Sequence, residues 1–327
     1  MKTAITVRGL RKAYRRVKRR FLFIPVEYER VEALKGISFS VKQGEILGYL
    51  GPNGSGKSTT MKILAGIMRP DGGSAEVMGY VPWERENEYL QRIGVMFGQR
   101  SALLWDLPVI DGLLLLKDIY DVDDRTFKEQ LELADAYLGI GEFLSTPLRK
   151  LSLGQRMRCE FAAAIIHDPD VLFLDEPMIG IDVWTRQRIK ELLRTLASAG
   201  KTIVITTHQI EDIEAIATQI AIIWDGQIEF QGSPDQLREI IPYKKMYIEF
   251  SREKEPLPYP VVRRTGRSVL YNVPRAEMSR AIGLVQDRYE IIDMSIHEPA
   301  LEDILIEWAS SRKKGLMEDH LITDQQG

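Results

Sequence analysis

A glycine-rich stretch between a short apolar run and a helical run constrains this chain more than any other part of its sequence. The stretch is a full match to GxxxxGK followed by Ser or Thr, and it consists of Gly51, Pro52, Asn53, Gly54, Ser55, Gly56, Lys57 and Ser58. Residues 45–50 predict a buried strand before it, and residues 58–67 predict a helix after it. A phosphate-binding loop needs this order of strand, turn and helix. We therefore predict an α/β fold in which the turn binds phosphate.

Glycines allow the backbone of such a loop to curl until successive N–H groups face the β- and γ-phosphates of a nucleotide. The positive end of the following helix points at the same place. Lys57 is expected to neutralise phosphate charge, and the hydroxyl of Ser58 to bind Mg2+, with Thr59 completing the nucleotide contacts. A chance glycine-rich turn is the alternative, and the flanking strand and helix argue against it. The sequence predicts a site for ATP with Mg2+.

A second motif is an apolar run, residues 171–174, that ends in Asp175 and Glu176. A strand of this kind places both carboxylates at the carboxyl edge of the sheet, beside the phosphate loop. Asp175 is expected to hold Mg2+, and Glu176 to polarise the attacking water as a general base. A strand ending in an acidic turn is common by itself. Downstream of a phosphate loop, it indicates hydrolysis of ATP.

A third motif, LSLGQ at residues 151–155, precedes a predicted helix. Ser152 and Gly154 at a helix start form a second anion-binding tip. Because the chain already has a complete phosphate cradle, a second γ-phosphate sensor makes most sense if it reaches into the site of another subunit. An ordinary N-capped helix is the alternative.

Together the three motifs resemble the ATP-binding subunits of ABC transporters, over roughly residues 4–240. LSLGQ stands where that family usually has LSGGQ, and Ser152, Gly154 and Gln155, the groups expected to touch nucleotide, are present. The resemblance implies a P-loop NTPase fold, an ABC-type nucleotide-binding domain with a helical subdomain at about 100–160. It also implies that Asp182 lies in a loop that communicates across a dimer, although Ile179 replaces the serine common in that loop.

Three more site residues follow from the resemblance. Gln99 matches the glutamine that senses Mg2+ and links to the transmembrane partner. His208 matches the histidine that contacts the γ-phosphate, and its place after a β-branched run also puts it at the edge that carries the loop. Tyr14 matches the aromatic residue that stacks on adenine. Residues 15–30 lengthen the connection after it, so Tyr28 is the alternative stacking residue.

Finer resemblance points to the ATPases of ABC-2 type exporters, including those similar to daunorubicin-resistance proteins, through residues 151–158, 176–182 and 298–305. It implies a homodimer or paired nucleotide-binding subunit that drives a separate transmembrane permease, contacted by Gln99 and residues 103–120. An importer ATPase is one alternative, and a soluble ABC-type ATPase acting on nucleic acid or ribosomes is another. A non-hydrolysing ATP switch is a third, which Glu176 and His208 oppose.

Composition and length indicate the partners, the compartment and the domain organisation of the chain. The net charge of −3 gives no indication of nucleic acid as a partner, and no apolar run approaches the roughly 18 residues of a membrane span. Cys159 is the only cysteine, which predicts a reducing compartment and hence a cytoplasmic protein, peripheral on the membrane. We expect a nucleotide-binding domain at 1–240, a small α+β accessory or regulatory domain at 241–310, and a polar, disordered tail at 311–327.

The predicted elements follow the apolar periodicity. In the first domain these are further strands at 93–97, 202–206 and 220–224, and helical structure over 111–144. In the second they are strands at 246–250, 269–273 and 291–296, and helices at 275–286 and 300–309.

A basic stretch near the beginning stands out in a chain that is net negative. Residues 1–26 contain nine basic side chains and no acidic one, and residues 21–24 add an apolar cluster. A solvated hairpin face is the ordinary interpretation of such a run. Aromatic residues beside arginines also suit a membrane interface or a partner groove, so a peripheral membrane contact is the other expectation.

Overall fold

The computed structural model describes residues 2–21, 24–98, 101–207, 210–252 and 257–299, without the side chains of residues 16–21, 24–27 and 210. The chain divides into two compact units, the first ending at Ser233 and the second beginning at Pro234. The boundary expected from sequence lay at 240, so the short helix between these positions belongs to the second unit.

Regular elements account for most of the described chain. The strands are β1 (Thr3–Phe21), β2 (Ile24–Lys42), β3 (Ile46–Leu50), β4 (Gly72–Val77), β5 (Ile93–Phe97), β6 (Val171–Asp175), β7 (Thr202–Thr206), β8 (Gln219–Trp224), β9 (Gln227–Gly232), β10 (Tyr243–Phe250), β11 (Val261–Thr265), β12 (Ser268–Pro274) and β13 (Ile291–His297). The helices are α1 (Lys57–Leu64), α2 (Asn87–Gln91), α3 (Val109–Ile119), α4 (Asp124–Leu138), α5 (Leu153–Ile165), α6 (Val183–Ser198), α7 (Ile210–Ile216), α8 (Pro234–Glu239) and α9 (Met278–Arg288).

The central sheet of the first unit has the strand order β5-β6-β7-β3-β8-β9. Every neighbouring pair is parallel except β8 and β9. Strands β3 and β7 are buried along their whole length, as parallel strands covered on both faces must be. The expected strands 93–97 and 202–206 coincide with β5 and β7, and the α/β fold class predicted from sequence is confirmed.

The register of the sheet aligns the ends of three neighbouring strands. Phe97 at the end of β5 is opposite Asp175 at the end of β6, and Asp175 is opposite Thr206 at the end of β7. Any residue that follows one of these strands therefore starts from the same edge, which is where ligands bind in open α/β sheets.

A second sheet in the first unit is antiparallel, with the order β2-β1-β4. Strands β1 and β2 pair from Thr3 opposite Lys42 to Phe21 opposite Ile24, while β4 pairs with β1 only between Ile5 and Arg11. Residues 12–21 and 24–34 therefore continue as a two-stranded extension, which we call the β-ribbon. Residues 15–30, which lengthen this connection, form its outer part.

The helical region predicted over 111–144 consists of α3 and α4, separated where Asp121 adopts a left-handed φ of 53°. Asp123 caps α4 by accepting from the N–H groups of Arg125 (3.0 Å) and Thr126 (2.9 Å). Helix α5 follows and buries one face, on which Cys159 has 0% exposure. Burial raises the pKa of the Cys159 thiol to about 12.

The second unit contains an antiparallel sheet in the order β11-β12-β10-β13, together with α8 and α9. Alternate residues of β10 and β12 are buried and pack against Ala281 and Val285 of α9. Strand β11 was not expected from the sequence, because all five of its residues are exposed and show no apolar alternation. The predicted helix 300–309 and the tail 311–327 lie outside the described residues.

Within the part of the chain that the structure describes, every helix is too short or too polar to cross a membrane.

Candidate functional site

The glycine-rich loop turns tightly between β3 and the start of α1. A Cβ on Gly51 would lie 2.1 Å from the carbonyl oxygen of Ile223, and one on Gly56 would lie 2.6 Å from that of Ala33. Gly56 also has a φ of 112°, which side chains of L-residues rarely adopt. The loop thus needs glycine at both positions to lie against the strand ends behind it.

Lys57 is the first residue of α1, and its side chain folds back across the loop. Its Nζ donates to the carbonyl oxygens of Gly51 (2.6 Å) and Pro52 (3.0 Å), and only 7% of the residue is exposed. Burial lowers the pKa of this ammonium group, and the Glu176 and Asp175 carboxylates oppose that shift. A fixed positive charge at a helix N-terminus fits an anionic ligand.

Asp175 joins the loop to the carboxyl edge of the sheet. Its Oδ2 accepts a hydrogen bond from the hydroxyl of Ser58 (2.9 Å), and its Oδ1 accepts one from the hydroxyl of Thr206 (2.6 Å). Hydroxyl and carboxylate oxygens that converge in this way are the ligands that Mg2+ prefers. Two of the three residues expected to hold the metal, Ser58 and Asp175, are therefore brought together.

Glu176 has an unusual backbone at the position where the chain leaves β6. Its φ of 57° lies in the left-handed region, which costs a non-glycine residue on the order of 1–3 kcal/mol. Its N–H donates to both the carbonyl oxygen and the hydroxyl of Thr206, each at 3.1 Å. Neighbouring β7 thus holds Glu176 in this conformation, next to Asp175.

Thr206 was not among the residues singled out from the sequence. It hydrogen bonds to both acidic residues, and so it fixes the direction in which each leaves the strand. The signal that could have found it is its place as the last residue of a β-branched strand, immediately before the Thr-His pair at 207–208.

A cavity of about 380 Å³ lies where these groups converge. Its lining residues are Ser58, Lys62, Ile67, Met68, Phe97, Gly98, Asp175, Glu176 and Ile179. Gln99 and His208, both expected at this site, lie outside the described residues. Each follows by two residues a strand end, Phe97 or Thr206, that the register places at this edge.

Tyr14 lies beside the first turn of α1. Its hydroxyl is 3.2 Å from that of Thr59 and donates to the sulfur of Met68 (3.1 Å), while 38% of the residue is exposed. Tyr28, the alternative stacking residue, is 58% exposed and lies farther along the β-ribbon, opposite Val17. Of the two aromatic residues, Tyr14 is therefore the one with a described contact to the nucleotide loop region.

Ser152 caps α5 through a reciprocal pair of hydrogen bonds. Its hydroxyl accepts from the N–H of Gln155 (3.3 Å), and the Gln155 side chain accepts from the N–H of Ser152 (2.9 Å). A Cβ on Gly154 would lie 2.6 Å from the carbonyl oxygen of Gly180, so the start of α5 touches the turn before α6. These two helix starts form one surface.

Asp182 caps α6 by accepting from the N–H of Thr185 (2.9 Å), a bond that lowers the pKa of the Asp182 carboxyl. The surface around it carries large apolar side chains, with Val183 76% exposed and Trp184 84% exposed. Leu153 and Ile179, the two residues that depart from the usual motifs, are 48% and 47% exposed. Among the described residues, no hydrogen bond joins Ser152 or Asp182 to the phosphate loop.

Comparison with known proteins agrees with this geometry. A family profile described as ABC transporter matches residues 34–179. The fluoroquinolones export ATP-binding protein of Mycobacterium tuberculosis (strain CDC 1551 / Oshkosh) is 34% identical over 218 residues, which cover 67% of this chain and 71% of that protein. This chain belongs to the family of ABC transporter ATP-binding proteins. The resemblance inferred from the motifs is confirmed.

Two further relatives are matched over a smaller share of their own length. An uncharacterized ABC transporter ATP-binding protein of Nostoc sp. is 36% identical over 211 residues, 64% of this chain and 62% of that protein. The daunorubicin/doxorubicin resistance ATP-binding protein DrrA of Streptomyces peucetius is 34% identical over 212 residues, 64% of each chain. The chain thus spans less than two thirds of the length of both proteins.

Solved structures match the same fold. The ATP-binding subunit of an ABC transporter has a TM-score of 0.63 at 22% identity, over 72% of this chain and 92% of that one. The ATP-binding cassette MJ0796, a dimer bound to ADP and Pi after hydrolysis, has a TM-score of 0.59 at 25% identity, over 70% of this chain and 98% of that one.

Proposed function

We propose that this chain hydrolyses ATP to power transport, in the direction of export, through a separate transmembrane subunit. The observation that carries the proposal is the group formed by Ser58, Asp175, Glu176 and Thr206 at the end of the phosphate loop. It brings a metal-binding hydroxyl, a metal-binding carboxylate and a second carboxylate to one cavity.

Each group has a distinct task in hydrolysis. The N–H groups of the loop and Lys57 hold the β- and γ-phosphates and offset their charge. Ser58, Asp175 and Gln99 would hold Mg2+, which supplies further neutralisation of the transferring phosphoryl group when it is bound. Glu176 orients and polarises the attacking water, and His208 contacts the γ-phosphate. Tyr14 is the residue that stacks on adenine.

The second half of each site comes from another nucleotide-binding subunit. Ser152, Gly154, Gln155 and Asp182 lie on a surface that makes no described hydrogen bond to the chain's own phosphate loop. In a head-to-tail dimer, this surface would meet the nucleotide held by the partner's loop. Because one chain carries both halves, a homodimer is sufficient. The dimeric relative MJ0796 supports this arrangement.

Export through a membrane partner has two supports. Relatives of this chain are named for fluoroquinolones export and for daunorubicin/doxorubicin resistance. In addition, the segment from 103 to 120 exposes large apolar side chains that suit a partner surface, namely Leu104, Trp105, Leu107, Leu114, Leu115 and Ile119. We infer that the subunit works on the cytoplasmic face of the membrane, with import as the alternative direction.

The β-ribbon supports a peripheral membrane contact. It extends beyond the last pairing with β4 and carries five basic residues between Arg15 and Arg20. Each basic residue near an anionic leaflet contributes about 1 kcal/mol. Changing these five to serine should weaken salt-sensitive binding to vesicles that contain phosphatidylserine. Unchanged binding at low ionic strength, where screening is least, would leave the ribbon as a solvated hairpin.

The experiment that tests the enzymatic proposal compares two lysine variants of the full chain. Lys57→Ala should abolish Mg2+-dependent ATPase activity and ATP binding. Lys128→Ala changes an exposed lysine on α4 that forms an ion pair with Glu132, and it should retain both. Equal activity of the two variants would refute the assignment of the phosphate loop.

A further inference from the structure

Two side chains of α5, one turn apart, hold the segment that follows Gln99. The Oε2 of Glu160 accepts from the N–H of Ala102 (2.8 Å), and its Oε1 accepts from the hydroxyl of Ser101. The guanidinium of Arg156 lies over the ring of Trp105, 4.9 Å from its centroid. We call residues 101–105 the bridging segment, since both contacts join it to α5.

The surroundings of Glu160 make its contacts hard to replace. The group is partly buried, and burial raises the pKa of its carboxyl while the hydrogen bonds from Ser101 and Ala102 oppose that shift. Glu160 also lines a cavity of about 240 Å³ together with Ser101 and Trp105 of the bridging segment, and the other walls of this cavity are mostly apolar, including Met96, Leu148 and Met157. Without Glu160, the N–H of Ala102 would lose a charged acceptor.

The two ends of this connection lead to the two halves of the proposed site. The bridging segment begins three residues after Gly98, which lines the cavity together with Asp175 and Glu176. Ser152, the N-cap of α5, lies eight residues before Glu160, a distance of about 12 Å at the rise of an α-helix. Because a helix of this length is stiff, a displacement of the bridging segment is carried to Ser152.

We propose that Glu160 is a positioning residue that makes the segment after Gln99 and the Ser152 end of α5 move together. The state of the nucleotide at one phosphate loop would thereby set the position of the surface offered to the partner's nucleotide. This proposal rests on the proposed dimeric ATPase. It differs from it in assigning the connection to one carboxylate, and it predicts a defect in dimer closure without a defect in ATP binding.

The test measures two quantities in the full chain that a general loss of structure would lower together. Single-subunit ATP affinity is measured with a fluorescent ATP analogue, below the concentration at which dimers form. ATP-driven dimerisation is measured by light scattering in the Glu176→Gln background. Glu160→Ala should change the ATP affinity by no more than about twofold, because the phosphate loop lies between β3 and α1. The same substitution should weaken ATP-driven dimerisation about tenfold, since two hydrogen bonds to a charged acceptor are lost.

Three variants complete the design. Ser101→Ala removes one of the two bonds and should show a smaller defect of the same kind. Glu160→Gln keeps an acceptor of the same shape and should restore part of the dimerisation. Glu132→Ala, an exposed glutamate of α4, should behave as wild type.

Normal dimerisation of Glu160→Ala and Ser101→Ala would overturn the proposal. So would a parallel loss of ATP affinity and thermal stability in both variants, because that pattern marks a purely structural role. Failure of the unmodified chain to hydrolyse ATP would instead refute the proposed function.

Discussion

The residues around the phosphate loop and the residues at the starts of α5 and α6 differ in how their polar groups are hydrogen bonded. We call these two parts of the proposed site the loop half and the helix-start half. In the first, Lys57 is 7% exposed and bonded to two carbonyl oxygens, and Asp175 is held between Ser58 and Thr206. In the second, the hydrogen bonds of Ser152 and Asp182 to described residues are to the helices that they cap, and Trp184 beside them is 84% exposed.

The difference indicates what each half needs from outside the chain. The loop half is organised in advance by hydrogen bonds within the loop and from the ends of β6 and β7, so a nucleotide meets a nearly fixed set of donors. The helix-start half has capped helices and carries large apolar side chains that are exposed to solvent. We infer that the loop half binds a ligand and that a partner surface covers the helix-start half.

The largest expected effect comes from a substitution in the loop half that changes the chemistry of one side chain and keeps its size. Glu176→Gln keeps the size of the side chain but removes its basicity, so turnover should fall by about 10²–10⁴-fold, the usual contribution of a positioned general base. ATP binding should persist, and ATP with Mg2+ should trap a stable dimer. Steady-state phosphate release and light scattering measure the two quantities. Turnover close to that of the unmodified chain would show that another group is the base.

The second prediction sharpens the contrast by separating the halves between subunits. Lys57→Ala disables the loop half, and Ser152→Arg disables the helix-start half, so each variant alone should be inactive. In a mixed dimer one site receives both defects and the other receives neither. Random pairing should restore at most about a quarter of the original activity, because half of the dimers are mixed and each has one intact site. A fully active monomer would exclude shared sites.

A third, smaller effect concerns the edge of the loop half. Tyr14→Ala should weaken ATP binding by about 1–3 kcal/mol, the contribution of one aromatic ring stacked on a base. Tyr28→Ala is the matched control and should bind ATP as tightly as the unmodified chain. The reverse order of the two affinities would assign adenine stacking to the β-ribbon instead.

The smallest effect tests the helix-start half as structure. Ser152→Ala removes the cap of α5 and should lower the free energy of unfolding by about 1 kcal/mol. Asp123→Ala removes the cap of α4, far from any expected nucleotide contact, and should also lower the melting temperature. Only the Ser152 variant should lose ATPase activity as well. If both variants lose it, the defect lies in folding and not in the surface of α5.

Much of the loop half could be predicted from the sequence because its signals are local. Residues 51–58 fix a backbone turn, and the apolar runs that became β3, β6 and β7 fix where the turn and the carboxylates lie. Thr206 has a weaker local signal, its place as the last residue of a β-branched strand, and this signal does not reveal its partners. Its role depends on the register between β6 and β7, which no single stretch of sequence encodes.

Outside the loop half, less of the structure could be predicted from the sequence, and the physical reason differs from one element to the next. Strand β11 is exposed along its length and leaves no periodic pattern, and the β-ribbon depends on pairing between residues far apart in the chain. The contact of Glu160 with Ser101 and Ala102 joins residues about sixty positions apart. A lone glutamate on a helix carries no sign of such a partner.

The burial of Cys159 has a consequence for labelling. Maleimides react with the thiolate, and a thiol with a pKa of about 12 and 0% exposure offers almost none of it at neutral pH. The native chain therefore behaves towards such reagents as a protein without cysteine. In a Trp184→Cys variant the new cysteine would be the one that accepts a dye, and energy transfer between donor-labelled and acceptor-labelled copies could then follow their approach while Cys159 stays in place.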